Sequence, residues 1–520
     1  VFPSGLLIGL ICSVFFSLTL PNLVFKEGFQ FLHLEIFLSF VSLCFLFRSL
    51  NLASGISIKV QLLTGFAAGY SLMLLYWIYI PLGPFKGISP PFALLLTFVF
   101  FLLHFIPYLV VMPIFLSSRL KTSSFKYILL FSFSLALAET LYPQILPLVP
   151  AHALLNLSVA RELAQLGGIP LVSFVFYLFI LTCASKNLSF RKKTGVLLLS
   201  VILIHLPSRF ITEDSLVGES ELRFNLVQPN VANKIKQDVE LLGMEKFASS
   251  LQQELFHATT KENTDLIIWP ETAIPFNLTK ENLSSSPVQV PILKKGVLSS
   301  SYLLTGVFME VETSPDRATN SVVLLENGEL ISRYDKRMLK PFAETFPIES
   351  LNGFVGNFFT TPYNIVQGTS YQMFKIKGFG FIPFVCYESL KSEYWRDYLN
   401  SLDERPYFIV SLANDKWFGS SSQPYLHYFI NQWRSIEYNL PVVRSANSGV
   451  SGIILPESLN FFRTPSGVRA SPVVNLSMFK RRKTLYQQYG LLPLIYSFLF
   501  LILIDWIVNR VSGRNKSSNI

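Results

Sequence analysis

The chain has 520 residues, of which 51% are hydrophobic and only 15% charged, and its mean hydropathy is +0.43. Those values exclude an ordinary soluble globular protein and point to a membrane protein. The net charge of +10 sits on basic residues scattered between apolar runs, which is the pattern of membrane-flanking loops rather than of a nucleic-acid surface, so no nucleic-acid partner is expected.

A helix that crosses hydrocarbon needs about 20 mostly apolar residues, because every backbone polar group must be satisfied internally. That ruler marks seven spans near 4–21, 31–48, 61–81, 91–117, 126–146, 168–185 and 193–210, and an eighth at 489–509. The first begins without a Met or a small-residue cleavage pattern and reads as a retained helix. Basic residues gather in alternate loops: Arg48 and Lys59; Arg119, Lys121 and Lys126; Lys186, Arg191, Lys192 and Lys193; then Arg510, Arg514 and Lys516. Placing those loops in the cytoplasm puts a domain of residues 211–488 on the outer face and a basic tail, 510–520, inside. The run Lys480, Arg481, Arg482 and Lys483 then falls outside, behind a long translocated domain where the charge rule weakens. Cys12, Cys44 and Cys183 lie within spans, where cysteine is a small buried hydrophobe.

Between residues 211 and 488 the pattern changes. Short apolar runs read as strands: 222–228, 265–270, 302–311, 321–336, 371–376, 380–386, 407–415, 440–447 and 449–456. Asn327-Gly328 between two such runs predicts a type I′ hairpin. Apolar residues at three- and four-residue spacing predict helices at 238–259 and 424–439. Alternating strands and helices predict a layered α/β domain. The histidines are scattered and show no paired spacing with cysteines, so neither a metal nor any other cofactor is expected.

Three polar residues stand where apolar strands end. Glu271 follows "DLIIWP", Lys336 closes "ISRYDK", and Cys386, the one cysteine outside the spans, closes "GFIPFVC". Taken singly, each has a plain reading: a solvated turn carboxylate, a surface lysine, a packed thiol. Taken together they form a chemical set. A thiolate is a strong nucleophile, a carboxylate can take its proton, and an ammonium can stabilise both the thiolate and the oxyanion formed when it attacks a carbonyl. The set is equipment for acyl transfer.

The segments "IIWPETAIPF", "RYDKRMLKPFAETFP" and "FVCYESL", with the later "SLANDKWFGSSSQPYLHYFINQWRSIEYNLPVVRSANSG", resemble the Glu-Lys-Cys signature of the nitrilase, or carbon–nitrogen hydrolase, superfamily. The preceding spans narrow the resemblance to its membrane-embedded branch, the apolipoprotein N-acyltransferases. The resemblance implies a polytopic helical membrane domain of about eight spans joined to a nitrilase-like αββα sandwich. It implies a ping-pong reaction at the periplasmic face of a bacterial inner membrane, in which Glu271 deprotonates Cys386. The thiolate takes an acyl chain from a phospholipid, expected to be phosphatidylethanolamine. The thioester then passes it to the α-amine of a diacylated apolipoprotein, with Lys336 supporting both tetrahedral intermediates. Glu344, Tyr387 and Glu388 take supporting roles, and a monomer is expected. Phe342, Phe346, Phe358, Phe359 and Trp417 are candidates for acyl-chain binding, the four phenylalanines within an aromatic, glycine-hinged segment, 340–375, that reads equally as core or as a lid on the bilayer. Two positions depart from the family: Gln237 where a Trp is usual, and Ala343 where a Gly precedes the second glutamate. A membrane-tethered amidase, a weakened paralogue and a transporter or receptor whose outer domain merely binds are the alternatives. The spans speak against the first, and the lack of paired charges deep within them speaks against the last.

Overall fold

The computed structural model describes residues 4–26, 34–85, 88–117, 125–185, 215–232, 262–279, 302–341, 343–345, 364–459 and 461–517, with Leu255 and Thr259. The chain divides into two units, one of residues 1–79, 90–213 and 483–520, the other of residues 80–89 and 214–482.

The first unit is helical: α1 (Ser4–Ser17), α2 (Leu34–Leu52), α3 (Ile56–Tyr70), α4 (Pro90–Ser117), α5 (Phe125–Leu141), α6 (Ser158–Ala184), a short α7 (Leu485–Tyr489) and α8 (Leu492–Ser517). Among the described residues, four stretches are long and apolar enough to cross a membrane: Glu35–Leu52, Ile56–Gly83, Pro90–Met112 and Ser158–Ala184. Ser4–Ser17 and Leu492–Ile507 are apolar but shorter. The span expected at 193–210 lies outside the described residues. Glycine lets α1 and α3 cross closely, since a Cβ on Gly9 would stand 2.1 Å from the Leu62 carbonyl oxygen, the close backbone approach that small residues permit between membrane helices. α6 breaks at Gly167 and Gly168, just before Pro170. On α4, Leu94, Leu95, Phe98 and Leu102 are exposed, an apolar surface that suits lipid rather than water.

The second unit is built on two sheets. The first holds β1 (Ser215–Leu226), β2 (Leu266–Ile268), β3 (Ile274–Leu278), β4 (Tyr302–Val311), β5 (Ser314–Glu326), β6 (Glu329–Asp335), β7 (Asn364–Ile365) and, at its far edge beside β1, Val473–Lys480. The second holds β8 (Phe374–Ile376), β9 (Phe379–Val385), β10 (Phe408–Ala413), β11 (Val442–Ala446), β12 (Gly452–Ile454) and β13 (Phe462–Arg463), in the order β13-β12-β11-β10-β9-β8. Val473–Lys480 is β14, so the first sheet runs β14-β1-β2-β4-β5-β6. The sheets meet face to face where the Phe224 and Phe408 rings cross edge-on at 5.3 Å. A Ser445 hydroxyl from β11 also donates to the carbonyls of Val227 and Ile268.

The expected hairpin turn is present, with positive φ at both Asn327 and Gly328 joining β5 to β6. The helix expected at 424–439 spans Gln423–Tyr438, and another, Ser392–Asn400, follows the loop after Cys386. Most of the segment expected to be helical at 238–259 lies outside the described residues, but Leu255 packs into the core around Trp269, and the Trp269 indole donates to the Thr259 hydroxyl at 3.1 Å. Sequence reading missed β3, β7, β13 and β14: the first three are at most five residues long, while β14 does carry an alternation, Val474, Leu476 and Met478 against Asn475 and Ser477.

Candidate active site

Parallel pairing places several loops at the carboxyl ends of strands β2, β9 and β10, where open sheets carry their sites. Glu271 leaves β2 in a tight turn that lies against β4. A Cβ on Gly306 would come 2.7 Å from the Glu271 Cα and 2.6 Å from the Thr272 nitrogen, so only glycine lets the turn sit there. The turn does not leave the carboxylate in water, as a lone turn glutamate would be, because Glu271 is only 7% exposed. Its Oε1 accepts from Asn320 Nδ2 at 2.9 Å and its Oε2 from the Asn414 backbone N–H at 2.9 Å.

Lys336 follows β6, and it is not a surface lysine: its side chain is 1% exposed. Nζ lies 2.8 Å from Glu344 and 3.6 Å from Glu271 Oε1. Burial disfavours the ammonium, yet the charges of Glu344 and Glu271 outweigh it and hold Lys336 protonated well above the usual lysine range. Burial likewise opposes the Glu344 carboxylate, and Lys336 overcomes it, so that Glu344 stays below its ordinary value. Its Oε2 accepts from the Lys340 backbone N–H at 2.7 Å. Asn320 on β5, which the sequence reading did not single out, donates from one Nδ2 to both Glu271 and Glu344, at 2.9 and 3.2 Å. Its only sequence signal is a polar residue, "ATNSVV", inside an otherwise buried strand.

Cys386 ends β9 with φ of +50°, a left-handed backbone that a non-glycine residue adopts at a cost of about 1–3 kcal/mol unless the surroundings impose it. The surroundings do impose it. The Cys386 carbonyl accepts from the Ser389 hydroxyl at 2.8 Å and lies 3.2 Å from His427 Nε2. His427 Nδ1 faces Asp415 Oδ1 at 3.0 Å, and Asp415 Oδ2 accepts from Arg444 at 2.8 Å, all three side chains being buried. Burial and the Arg444 charge lower the His427 pKa, against the opposing pull of Asp415. This network also went unread in the sequence, because its members come from three separate segments.

Burial first, and then the Glu271 charge, push the Cys386 thiol above its ordinary value of 9.0, while Lys336 and Lys340 pull it down. At neutral pH the sulfur is therefore a thiol that needs a base. Glu388 clamps the Cys386 loop to the Lys336 loop: it accepts from the Val385 N–H at 2.8 Å, the Arg337 N–H at 2.7 Å, the Met338 N–H at 3.0 Å and the Tyr334 hydroxyl at 2.7 Å. Tyr387 is buried beneath the Lys391 ammonium, 5.1 Å from its ring centre, and makes no hydrogen bond to Glu271, Lys336 or Glu344 among the described residues. Trp417 is 37% exposed beside the buried Phe418. Phe342, Phe346, Phe358, Phe359 and Gln237 lie outside the described residues. Among those described, no group of His, Cys, Asp and Glu could hold a metal ion.

The arrangement couples a carboxylate, an ammonium and a thiol, with a second carboxylate holding the ammonium in place. A carboxylate and an ammonium whose charges both act on a thiol suit the two needs of acyl transfer through a thioester, a base for sulfur and a cation for the oxyanion.

Comparison with known proteins adds to this geometry. The carbon-nitrogen hydrolase family profile matches residues 243–463. An apolipoprotein N-acyltransferase of Rhodopseudomonas palustris is 32% identical over 258 residues, covering 45% of this chain and 44% of its own length. The match to one from Bradyrhizobium diazoefficiens, also 32% identical, covers 45% of that protein, so the aligned part spans under half of these two relatives. One from Wigglesworthia glossinidia brevipalpis is 26% identical over 455 residues, 84% of this chain and 86% of its own length.

Proposed function

We propose, from the match of residues 243–463 to the carbon–nitrogen hydrolase family profile, that this chain is an N-acyltransferase of lipoproteins acting through a thioester on Cys386. The observation that carries the reading is the pairing of Glu271 and Glu344 on Lys336, at 3.6 and 2.8 Å, with both Glu271 and Lys336 acting electrostatically on the Cys386 thiol.

In this mechanism Glu271 takes the thiol proton as sulfur attacks the ester carbonyl of a phospholipid, phosphatidylethanolamine being the expected donor. Lys336 stabilises the oxyanion. Collapse breaks the ester C–O bond, and the leaving lysophospholipid oxygen takes the proton from Glu271. The α-amine of a diacylglyceryl-cysteine then attacks the thioester carbonyl and gives a proton to Glu271. The C–S bond breaks, and the proton returns to sulfur. Glu344 holds Lys336 in place, and Glu388 holds the two loops together. Eight spans, with residues 211–488 in the periplasm and the helices in the bacterial inner membrane, complete the arrangement, and the working unit is a monomer. The 26% identity over 84% of the chain, helical unit included, supports this whole-chain reading over a tethered amidase.

Incubating the purified chain with phosphatidylethanolamine and examining Cys386 by mass spectrometry tests the reading. A thioester adduct with matching lysophospholipid is expected, discharged by a diacylated lipopeptide and missing in Cys386→Ala. Hydrolysis of small amides with no adduct from lipid would overturn it.

A further inference from the structure

Among the cations around the thiol, most are already committed. Lys336 serves Glu271 and Glu344, Arg444 serves Asp415, and Lys416 donates to Asn230 Oδ1 at 2.9 Å. Lys340 is different. Its side chain is half-buried, no carboxylate pairs with its ammonium among the described residues, and Nζ lies over the Phe418 ring, 4.5 Å from the centre. An ammonium resting on an aromatic face keeps N–H donors turned elsewhere.

Both ends of that contact are fixed to the site. The Lys340 backbone N–H donates to Glu344 Oε2, the carboxylate that grips Lys336, and three backbone N–H groups, of Ala343, Glu344 and Thr345, turn back onto the Lys340 carbonyl. Phe418 is buried and closes the short 3-10 turn Asp415–Phe418, whose Asp415 faces His427 behind the Cys386 carbonyl. Lys340 is near enough to the sulfur for its charge to act on the thiol. The charge count explains what such a lysine could do. Two carboxylates, Glu271 and Glu344, share one Lys336, so the centre of the site is net negative and would repel an anionic substrate. An uncommitted ammonium at its side reverses that repulsion on one flank.

We propose that Lys340 binds the phosphodiester of the donor lipid and so holds a glyceryl ester, a few bonds away, over Cys386. This rests on the acyltransferase reading above and adds a recognised group to it: the phosphate shared by all glycerophospholipids, rather than any particular headgroup. The contact is a charge-assisted hydrogen bond, whose loss is worth about tenfold or more in kcat/KM.

The test uses the full chain in mixed micelles with three donors carrying identical acyl chains: phosphatidylethanolamine, phosphatidylglycerol, and diacylglycerol, which has the esters without the phosphate. Acyl transfer to a diacylated lipopeptide gives kcat/KM for each. In Lys340→Ala, the preference for each phospholipid over diacylglycerol should fall about tenfold, equally for the two headgroups, and Lys340→Arg should restore it. Lys340→Gln, which keeps the stem against Phe418, should behave as Ala does. An unchanged preference in Lys340→Ala and Lys340→Gln, or a loss confined to one headgroup, overturns the proposal while leaving the acyltransferase reading intact. Failure of the unaltered chain to transfer from any donor overturns both. A separate arm adds inorganic phosphate to the diacylglycerol assay. Stimulation that depends on Lys340 would assign the site to a free anion and overturn its assignment to lipid, whereas no stimulation supports the lipid phosphodiester.

Discussion

The two sheets of the second unit supply different kinds of part to one site. The first sheet contributes charge: Glu271 after β2 and Lys336 after β6, with Asn320 of β5 bridging the two carboxylates. The second contributes shape: a left-handed turn at Cys386, held from behind by Asp415, His427 and Arg444 through the Cys386 carbonyl. Both arms bury ionised groups, but in the proposed mechanism only the first exchanges protons or charge with the reacting atoms. The lesson is that a buried charge near a nucleophile is not by itself a catalytic one. What it faces decides whether its removal costs rate or stability.

Substitutions on the two arms should separate along that line. Cys386→Ala removes the proposed nucleophile and should abolish transfer with the fold intact. Glu271→Gln should lower kcat by about 10²–10⁴, the usual contribution of a positioned base. Its thermal midpoint in detergent should move little, since Lys336 keeps Glu344 as a partner 2.8 Å away. On the other arm, Asp415→Asn leaves Arg444 buried without its counter-charge and should cost about 3–5 kcal/mol of stability. Its activity should fall mainly through loss of folded protein. If Glu271→Gln destabilised the chain as much as Asp415→Asn, or if Asp415→Asn left stability intact and abolished turnover, the division between the arms would be wrong.

How much of this was legible beforehand follows the same division. Glu271, Lys336 and Cys386 stand out as candidates because each follows a strand-like run, and a strand end is a local signal. The sandwich's central strands read for the same reason. Asn320, Asp415, His427 and Arg444 were not readable as a group: Asn320 hides in a thirteen-residue strand, Ser314–Glu326, and the other three meet only because β10, β11 and the helix Gln423–Tyr438 pack together. Long-range polar networks have no period in the sequence. The helical unit shows the opposite weakness. Its runs announce membrane helices clearly, but not their ends: α3 begins at Ile56 rather than near residue 61, and the run near 168–185 starts at Ser158, ahead of the break at Gly167 and Gly168.

The thiol itself sharpens the comparison through pH. Burial raises Cys386 above 9.0, with the Glu271 charge adding to it and Lys336 and Lys340 opposing. A group whose folded pKa is raised stays protonated over a wider range, so the thiolate fraction should grow about tenfold per pH unit throughout the neutral and mildly alkaline range. Iodoacetamide labelling of Cys386 should therefore accelerate steadily from about pH 7 to about pH 9 without levelling off. A plateau below pH 9 would mean that the first sheet's lysine already holds a thiolate at rest, making Glu271 unnecessary as a base for the first step.

The smallest effect belongs to a solvent-exposed charge pair. Arg223 on β1 and Glu262 lie 2.6 Å apart, with side chains 45% and 60% exposed. Solvent screens such a pair and side-chain entropy opposes it, so Arg223→Ala should change stability by less than about 1 kcal/mol and leave kcat alone. Its short distance matches that of the buried pairs, which isolates burial as the variable. Were Arg223→Ala to cost as much as Asp415→Asn, proximity of charges alone would account for both, and the contrast between the two arms would lose its physical basis.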